Sequence, residues 1–439
     1  MNSKQKILHI HFMGIAGSGM SAVAQIAAAR GYDISGCDLS LDSPYLSKIK
    51  KNKIWEGHSP DHLKDVDLLC VTPAVFYQSA DHPELAEGKK HGIVMKWQDF
   101  LGTYLHKDKF VIAVAGTHGK STTSALAGLL LEKAELDPTV EVGATVKAWN
   151  NNVRIGKSKF FISEADEFHD NFATYKPDIL ILTLVEYDHP EFFGTYENML
   201  NCYQRLLSRI KPDGTLIYNS DSPGCHQLLK MYGRFTNRPG RIVMRPYNLR
   251  DFPKNLKLSQ PGNHNKLNAL AIIKLGQILK ISNHLITQSL NRFQGLDRRL
   301  DLIGETHGIK VYDDYANHPS SFAATLSALR ELYPQQKITA IIEPHTFSRL
   351  RVMLSELPEA VKDADEIIVS KIFASRETDP GNFTGTDIVS ALHHPHAQYI
   401  PEFPDIIRHL KSNIKDLNII LVMGSGNSYK LSRQILECL

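Results

Sequence analysis

Two apolar runs in this chain break into glycine-rich turns and continue as helical patterns: "ILHIHFMGIAGSGMSAVAQIAAARG" from Ile7 and "VIAVAGTHGKSTTSALAGLLLEK" from Val111. A short apolar run bounded by glycine reads as a buried strand, and a helical pattern directly after it reads as a helix packed on that strand. Strand, tight turn and helix in succession open a βαβ unit, whose returning strand runs parallel to the first. The chain is therefore committed to parallel sheets covered by helices.

At 439 residues the chain exceeds what one ordinary hydrophobic core holds, so several such units are expected. Residues 7 to 38 read as strand, glycine turn, helix and strand, and "DVDLLCVTPAV" and "GIVMKW" continue the pattern to about Leu105. A second α/β unit begins at Phe110, with strands in "FVIAVAG", "KFFISEAD", "DILILTLVEYDH" and "GTLIYNSD" and a late helix in "HNKLNALAIIKLGQIL". The stretch "NRFQGLDRRLDLIGE" passes from a helix end through Gly295 into a new strand and marks a junction. A third unit follows with "IKVYDDYA", "KITAIIEPH", "ADEIIVSKI" and "LNIILVMGSG". The expectation is three α/β domains, at 1–106, 107–298 and 299–439, with no solenoid repeat.

Composition narrows the function classes. With 42% hydrophobic and 22% charged residues the chain is globular, and a net charge of +3 gives no general pull toward nucleic acid or anionic lipid. Neither is expected as a partner. Five scattered cysteines without a CxxC pair suit a reducing cytosol, and no apolar stretch reaches the ~18 residues of a membrane span. The N-terminus reads as a first strand and not as a signal, so a cytoplasmic location is expected.

The first glycine loop, Gly14 to Gly19 with Gly17, Ser18 and Met20, carries a G-x-G-x-x-A pattern between strand and helix. Small residues there let the backbone approach a diphosphate at a helix N-terminus. Asp38 ends the next strand, where an acidic residue meets a ribose hydroxyl, so the local signal is a nucleotide, most often NAD. A tight turn that binds nothing is the plain alternative.

The second loop, Gly116-Thr117-His118-Gly119-Lys120-Ser121-Thr122, is a shortened version of G-x-x-x-x-G-K-[ST], with Val114 where the first glycine is expected. It still offers amides at a strand-to-helix turn, a lysine at phosphate distance and a hydroxyl suited to Mg²⁺. Two later strand ends carry acids and imidazole: Glu164, Asp166 and Glu167 in "FFISEADEFHD", and Asp188 and His189 in "ILTLVEYDHPEF". Taken singly each also fits a solvated strand end; with the lysine loop they form a metal-nucleotide constellation. Asn265 and Asn268 lie three apart, where amides meet a purine edge or merely cap a helix. Arg298 and Arg299 stand at the second junction, within reach of a γ-phosphate if domains close, or as a surface pair. The third unit adds Asp313, His318, His345, Arg349 and Arg351, with a glycine loop from Gly424 to Gly426 whose amides, with an arginine, suit a substrate carboxylate.

In order along nearly the whole chain, "HFMGIAGSGMSA", "GTHGKSTT", "EADE", "DH", "PGNHNKLNALA", "RRLDLIGE", "DDYANHP" and "EPHTFSR" resemble the Mur ligases. The likeness is strongest to the branch that adds L-alanine to UDP-N-acetylmuramate. It implies an N-terminal Rossmann-like UDP-binding domain, a central P-loop-type ATPase with a mostly parallel sheet and a C-terminal Rossmann-like domain. It also implies ATP and two Mg²⁺ ions in cytoplasmic peptidoglycan synthesis, by a monomer or homodimer. Through it Lys120 would hold the β- and γ-phosphates, Ser121 and Glu164 one Mg²⁺, and His189 a second. Asn268 would meet adenine, Arg299 the phosphates and Asp313 ATP. His345 and Arg349 would lie near sugar and amino acid, with Glu167, His189, Gly424 and Gly426 among the substrate contacts. One departure stands out: the family's "TNIxxDH" is "TLVEYDH" here, with Leu184 in place of asparagine.

The reaction so implied is activation of a carboxylate by phosphorylation and attack of an amine on the acyl phosphate, with the third domain closing to exclude water. Three rival readings remain. A muropeptide ligase using L-Ala-γ-D-Glu-meso-diaminopimelate shares most motifs; a nicotinamide oxidoreductase explains Gly14 to Asp38 but not Lys120; a non-catalytic nucleotide binder is suggested by Leu184.

Overall fold

The computed structural model describes residues 8–49, 53–73, 75, 82–233 and 241–439; Ile7 and Ala74 of the expected first strands lie outside them. The chain packs as two units, the first comprising Met1–Glu186, Tyr196–Leu256 and Leu267–Asn291, the second Tyr187–Thr195, Lys257–Lys266 and Arg292–Leu439. Two short segments from the middle of the chain thus pack with its C-terminal part.

The first unit opens on β1 (His9–Met13), β2 (Asp33–Asp38), β3 (Ile54–Glu56), β4 (Leu68–Val71) and β5 (Val94–Lys96). Their order is β3-β2-β1-β4-β5, with every pair parallel. The order reverses between β2 and β4 around β1, and the glycine turn after β1 sits at that reversal, where open α/β sheets bind ligands. Period-2 alternation sends Ile10 and Phe12 to one face, where Phe12 meets Phe100 edge-on at 6.1 Å. Met13 and Cys37 face the other side and pack with Leu69, Val71 and Leu85.

The same unit contains a larger sheet of β6 (Phe110–Ala115), β7 (Thr139–Val146), β8 (Asn151–Arg154), β9 (Phe160–Ala165), β10 (Ile179–Leu182), β11 (Thr215–Asn219) and β12 (Val243–Tyr247). The order is β12-β11-β10-β6-β9-β7-β8, parallel except for the β7–β8 hairpin. β6, β9 and β10 are apolar on both faces because helices cover both, which is why they read as continuous runs. The antiparallel hairpin has no such run and does not stand out in the sequence. Its Asn152 amide donates to Ser18 O and Asn151 donates to Gln25 Oε1 at 2.9 Å, joining the two sheets of this unit.

His106, at the expected first domain boundary, is buried between the rings of Phe161 and Tyr175 at 4.8 and 4.7 Å. Burial, with the charges of Arg30 and Lys211, depresses its imidazole to about 3. The unfolded chain binds a proton near 6.5 and the folded one does not, so stability present above that value is lost as pH falls toward 3. His106→Gln is expected to remove a slope of about 1.1 kcal/mol per pH unit from urea-melt stability measured between about pH 5 and 6.5. An unchanged slope would mean that His106 already carries its proton in the fold.

The second unit is built on β13 (Asp301–Thr306), β14 (Ile309–Asp314), β15 (Ile338–Ile342), β16 (Glu366–Val369), β17 (Ala397–Tyr399) and β18 (Ile419–Met423), in order β13-β14-β18-β15-β16-β17. Only β13 is antiparallel. Ala340, Ile342, Leu421 and Met423 pack on one face and Ile341, Ile368, Ile420 and Val422 on the other, giving a three-layer α/β sandwich. The α/β class, the three sheets and their mostly parallel character match the sequence expectation.

Candidate active site

Register places three strand ends of the larger sheet side by side. Ala115 pairs with Ala165 of β9 and with Leu182 of β10, so the residues that follow each strand emerge at one edge. There Gly116 turns at φ +133°, and Gly119, at φ +83°, starts the helix Lys120–Lys133. Both angles belong to glycine. Thr117 N donates to Leu184 O at 2.6 Å, Thr117 Oγ1 donates to Glu186 O at 2.9 Å, and Thr183 Oγ1 donates to His118 O at 2.5 Å. The loop is clamped to the chain that follows β10 through both main-chain groups and threonine hydroxyls. A Cβ at Gly116 would lie 2.2 Å from Thr183 Oγ1 and 2.7 Å from Leu184 O. Gly116→Ala is therefore expected to cost about 1–3 kcal/mol and to weaken nucleotide binding, read by thermal melts and ATP titration; wild-type values in both would show that the loop relaxes freely.

Lys120 Nζ donates to Gly116 O at 2.7 Å and to Glu167 Oε2 at 2.9 Å, with Asp166 at 3.7 Å. Burial opposes its charge, but Glu167, Asp166 and Glu164 outweigh it and hold the ammonium well above its usual range. The lysine is thus a fixed cation at the mouth of a helix N-terminus. Ser121 Oγ donates to Glu164 Oε1 at 3.0 Å, and Gly143 N donates to Glu164 Oε2 at 2.7 Å. Beneath them Glu141 is buried, accepts from Glu164 N at 3.1 Å, and is pushed up to about 8 by burial and then by the Glu164 charge. Asn268 Oδ1 accepts from Thr123 Oγ1 at 3.2 Å and lies 2.6 Å from where a Gly119 Cβ would stand, directly over the loop. Asn265, one turn earlier, donates to Pro261 O at 2.8 Å. Thr122 is half-buried on the first turn.

In the first sheet, Gly14 N and Ile15 N donate to Cys37 O, and Asp38 Oδ2 accepts from Ala16 N at 2.8 Å. Asp38 therefore braces the first glycine loop as well as ending β2. A Cβ at Gly17 would make ordinary contact with Gly14 O at 3.5 Å, whereas one at Gly19 would lie 2.6 Å from the Trp97 ring, so Gly19 is small for packing. The Met20 side chain is core, which leaves only its main chain for any ligand.

The second unit gathers its own cluster. Arg349, buried, forks onto Asp188 Oδ1 through Nε at 2.8 Å and Nη2 at 2.7 Å, and its Nη1 donates to His345 Nδ1 at 3.0 Å. Burial, then the Arg349 charge, lowers His345 to about 3, so it stays neutral. His189 sits at φ +54°, with Nδ1 3.1 Å from Glu191 Oε1. Arg298 is consumed by the fold: Nη2 donates to Gly424 O at 2.6 Å and Ser428 Oγ at 3.0 Å, and Nε lies 3.4 Å from Asp313 Oδ2. Arg299 stacks over Tyr315 at 5.0 Å and makes no hydrogen bond or ion pair among the described residues. Burial pushes Asp313 up to about 7. Beside the loop from Gly424 to Gly426, expected to grip a carboxylate, Glu343 accepts from Asn427 N at 3.1 Å and Ser428 N at 3.0 Å, and its side chain lies against both glycines. The chain's own carboxylate holds that helix start.

Three family profiles tile the chain: the Mur ligase family catalytic domain at residues 9–108, the Mur ligase middle domain at 114–238, and the Mur ligase glutamate ligase domain at 298–426. The UDP-N-acetylmuramate–L-alanine ligase of Acetivibrio thermocellus is 34% identical, over 98% of this chain and 96% of its own length. The chain is a Mur ligase. In fold it is similar to the UDP-N-acetylmuramate-alanine ligase of Thermotoga maritima, with a TM-score of 0.76, 24% identity and 98% of each chain covered. It is also similar to a murein peptide ligase from Psychrobacter arcticus, with a TM-score of 0.73, 22% identity and 98% of each chain covered.

For this ligase the departure at Leu184 has a local meaning. The residue holds the loop from Gly116 to Ser121 through its carbonyl oxygen, a contact any side chain permits. Sequence reading did not single out Glu141, Thr183 or Glu343, nor the fork between Arg349 and Asp188. A buried acid in "TVEVGATV" was the one visible signal for Glu141. The Ser121 and Glu164 oxygens, 3.0 Å apart, form the hard-oxygen donor set that Mg²⁺ takes, so these residues fit the ion the family uses. His189, with Nδ1 held by Glu191, has the outer partner of a metal-binding imidazole.

Proposed function

We propose that this ligase joins L-alanine to the carboxylate of UDP-N-acetylmuramate, with ATP converted to ADP and phosphate. The observation that carries the reading is Lys120 fixed beside Ser121 and Glu164 on one sheet edge, in a chain similar over its full length to L-alanine ligases. A carboxylate is a poor electrophile because it is charged and lacks a good leaving group. Its oxygen attacks the γ-phosphorus, the bond to the bridging oxygen breaks and ADP departs. The neutral amine of alanine then attacks the acyl carbon, phosphate leaves with the bonding pair, and the amine proton passes to solvent.

In this reading Lys120 and Arg299 place positive charge on the transferring phosphoryl group, and positioning does most of the rest. Ser121 and Glu164 would hold one Mg²⁺ and His189 a second, the ions supplying charge neutralisation at phosphate oxygens when bound. Gly116, Thr117, His118 and Gly119 present the loop to phosphate, Asn268 serves adenine, and Asp313 serves ATP. Glu167 acts as the counter-ion that aims Lys120. Gly14, Gly17 and Ser18, with Asp38, serve the UDP moiety. Arg349 acts by holding Asp188 and His345. Domain limits of 1–106, 107–298 and 299–439 and a cytoplasmic setting belong to the same proposal; among the described residues no helix is long and apolar enough to cross a membrane.

The test is phosphate release with ATP, Mg²⁺ and UDP-N-acetylmuramate, comparing L-alanine, glycine, L-serine and L-Ala-γ-D-Glu-meso-diaminopimelate. Release with L-alanine supports the proposal. Release with the tripeptide alone transfers the enzyme to muropeptide ligation, and no release with any amine overturns the catalytic reading.

A further inference from the structure

The first sheet carries a cluster that the ligase reaction does not use. His11 on β1, Cys37 on β2, His62 in the turn Pro60–Leu63 and Glu84 in the first turn of the helix Pro83–Lys90 converge on one point beneath the sheet. Their ligand atoms all lie within 4.8 Å of one another. His11 Nε2 is 3.0 Å from Glu84 Oε1 and 3.3 Å from Cys37 Sγ; Cys37 Sγ is 3.3 Å from Glu84 Oε2; His62 Nδ1 is 3.3 Å from Glu84 Oε1. For zinc bonds of about 2.0–2.1 Å to nitrogen and oxygen and about 2.3 Å to sulfur, tetrahedral edges are about 3.3–3.6 Å. These four separations lie within a few tenths of an ångström of that frame, and the remaining two within 4.8 Å.

From this juxtaposition we propose that His11, Cys37, His62 and Glu84 form a structural site for a thiophilic divalent cation, zinc being the best match. Two imidazoles, a thiolate and a carboxylate are a borderline-soft set that favours zinc over Mg²⁺. His62 Nδ1 makes no hydrogen bond although it lies 3.3 Å from a carboxylate oxygen. A ring nitrogen left without a hydrogen bond is free to offer its lone pair to an ion. The outer shell is built as well. His11 Nδ1 is 2.8 Å from Ser35 Oγ, which is 2.8 Å from His9 Nε2, so the ring that would bind is oriented from behind. Trp55 stacks on His62 at 4.8 Å and 13°, covering the open side. His58, whose Nδ1 is 3.1 Å from Cys37 Sγ and 3.3 Å from Glu84 Oε2, is a reserve ligand.

Binding would exchange the Cys37 thiol proton, released to solvent, for the ion. The consequence is a cross-link of four segments that are separate in sequence. Because Cys37 O accepts from Gly14 N and Ile15 N, the cross-link also stiffens the base of the first glycine loop.

The experiment uses the full chain, purified without chelator and held in excess Mg²⁺ to saturate the phosphate-loop site. Metal analysis is expected to find about one zinc per chain after dialysis. Stripping with dipicolinate should lower the melting midpoint by at least about 2 °C, restored by added Zn²⁺. Co²⁺ in place of zinc should give an intense tetrahedral visible band and a thiolate-to-cobalt charge-transfer band. Cys37→Ser should lose the charge-transfer band, and His62→Phe, which keeps the stack on Trp55, should lose stoichiometric zinc. Absence of retained zinc together with a Co²⁺ spectrum lacking thiolate character in the wild-type chain overturns the proposal, whatever the variants do. A Co²⁺ spectrum unchanged in a folded Cys37→Ser chain overturns it too.

Discussion

Lys120→Ala is expected to reduce ATP-dependent phosphate release by at least about 10²–10³-fold, the scale seen when one preorganised charge-stabilising donor is removed. The transferring phosphoryl group gathers its stabilisation from a few fixed positive groups, and Lys120 is the one the loop is folded around. Three carboxylates raise its pKa against burial, so it remains charged at any working pH. Removing it also has a structural effect. Glu167, almost wholly buried, loses the ammonium 2.9 Å away. A buried carboxylate stripped of its partner costs about 3–5 kcal/mol unless it takes up a proton. The double variant Lys120→Ala, Glu167→Gln removes that liability and should regain stability without regaining turnover. Activity is read by coupled phosphate release and folding by circular dichroism melts. Undiminished turnover in a folded Lys120→Ala protein would end the assignment of this loop.

Arg349→Ala is expected to destabilise the second unit by about 3–5 kcal/mol, the second large effect. Arg349 and Asp188 are both buried, and the fork supplies two charge-assisted bonds to one carboxylate oxygen. Alanine leaves Asp188 buried without its guanidinium, keeping the bond from His189 N at 2.7 Å, and takes the Nη1 donor from His345. Lysine should rescue only part of the loss because it is a point charge without a fork. The paired change Arg349→Met, Asp188→Leu should return most of the stability while activity stays low, since buried pairs replaced by apolar groups are often neutral in stability. Denaturant melts of the single and double variants measure the coupling. A loss below about 1 kcal/mol in Arg349→Ala would mean that water reaches Asp188.

Much of the site was legible because its chemistry is local. The run from Val111 to Lys133 holds an apolar strand, two glycines, a lysine and a hydroxyl in consecutive positions, and all of them meet the same turn in the fold. Arg298 and Arg299 were not separable in that way. They are neighbours in sequence and both lie over the Tyr315 ring, yet Arg298, at φ +59°, also donates to Ser428 and Gly424, while Arg299 makes no hydrogen bond or ion pair among the described residues. The surroundings of the glycines at 424 and 426 were hidden for a related reason. A glycine loop before a helix signals space for an anion, but only packing reveals that Glu343 lies against both glycines.

By itself the sequence determined the α/β class, the strand and loop positions and the two phosphate-type turns, because apolar runs, glycine angles and helix starts are set by residues a few positions apart. The tertiary structure decided which remote groups face one another. Ser121 meets Glu164 43 positions on, Thr123 meets Asn268 145 positions on, and Arg349 closes on Asp188 161 positions back. Those meetings depend on strand order, register and pleat, which bring distant strand ends to one edge and choose the face each side chain takes. The histidine, cysteine and glutamate cluster under the first sheet belongs to the same class: four ordinary residues until β1, β2, a turn and a helix start are folded against one another.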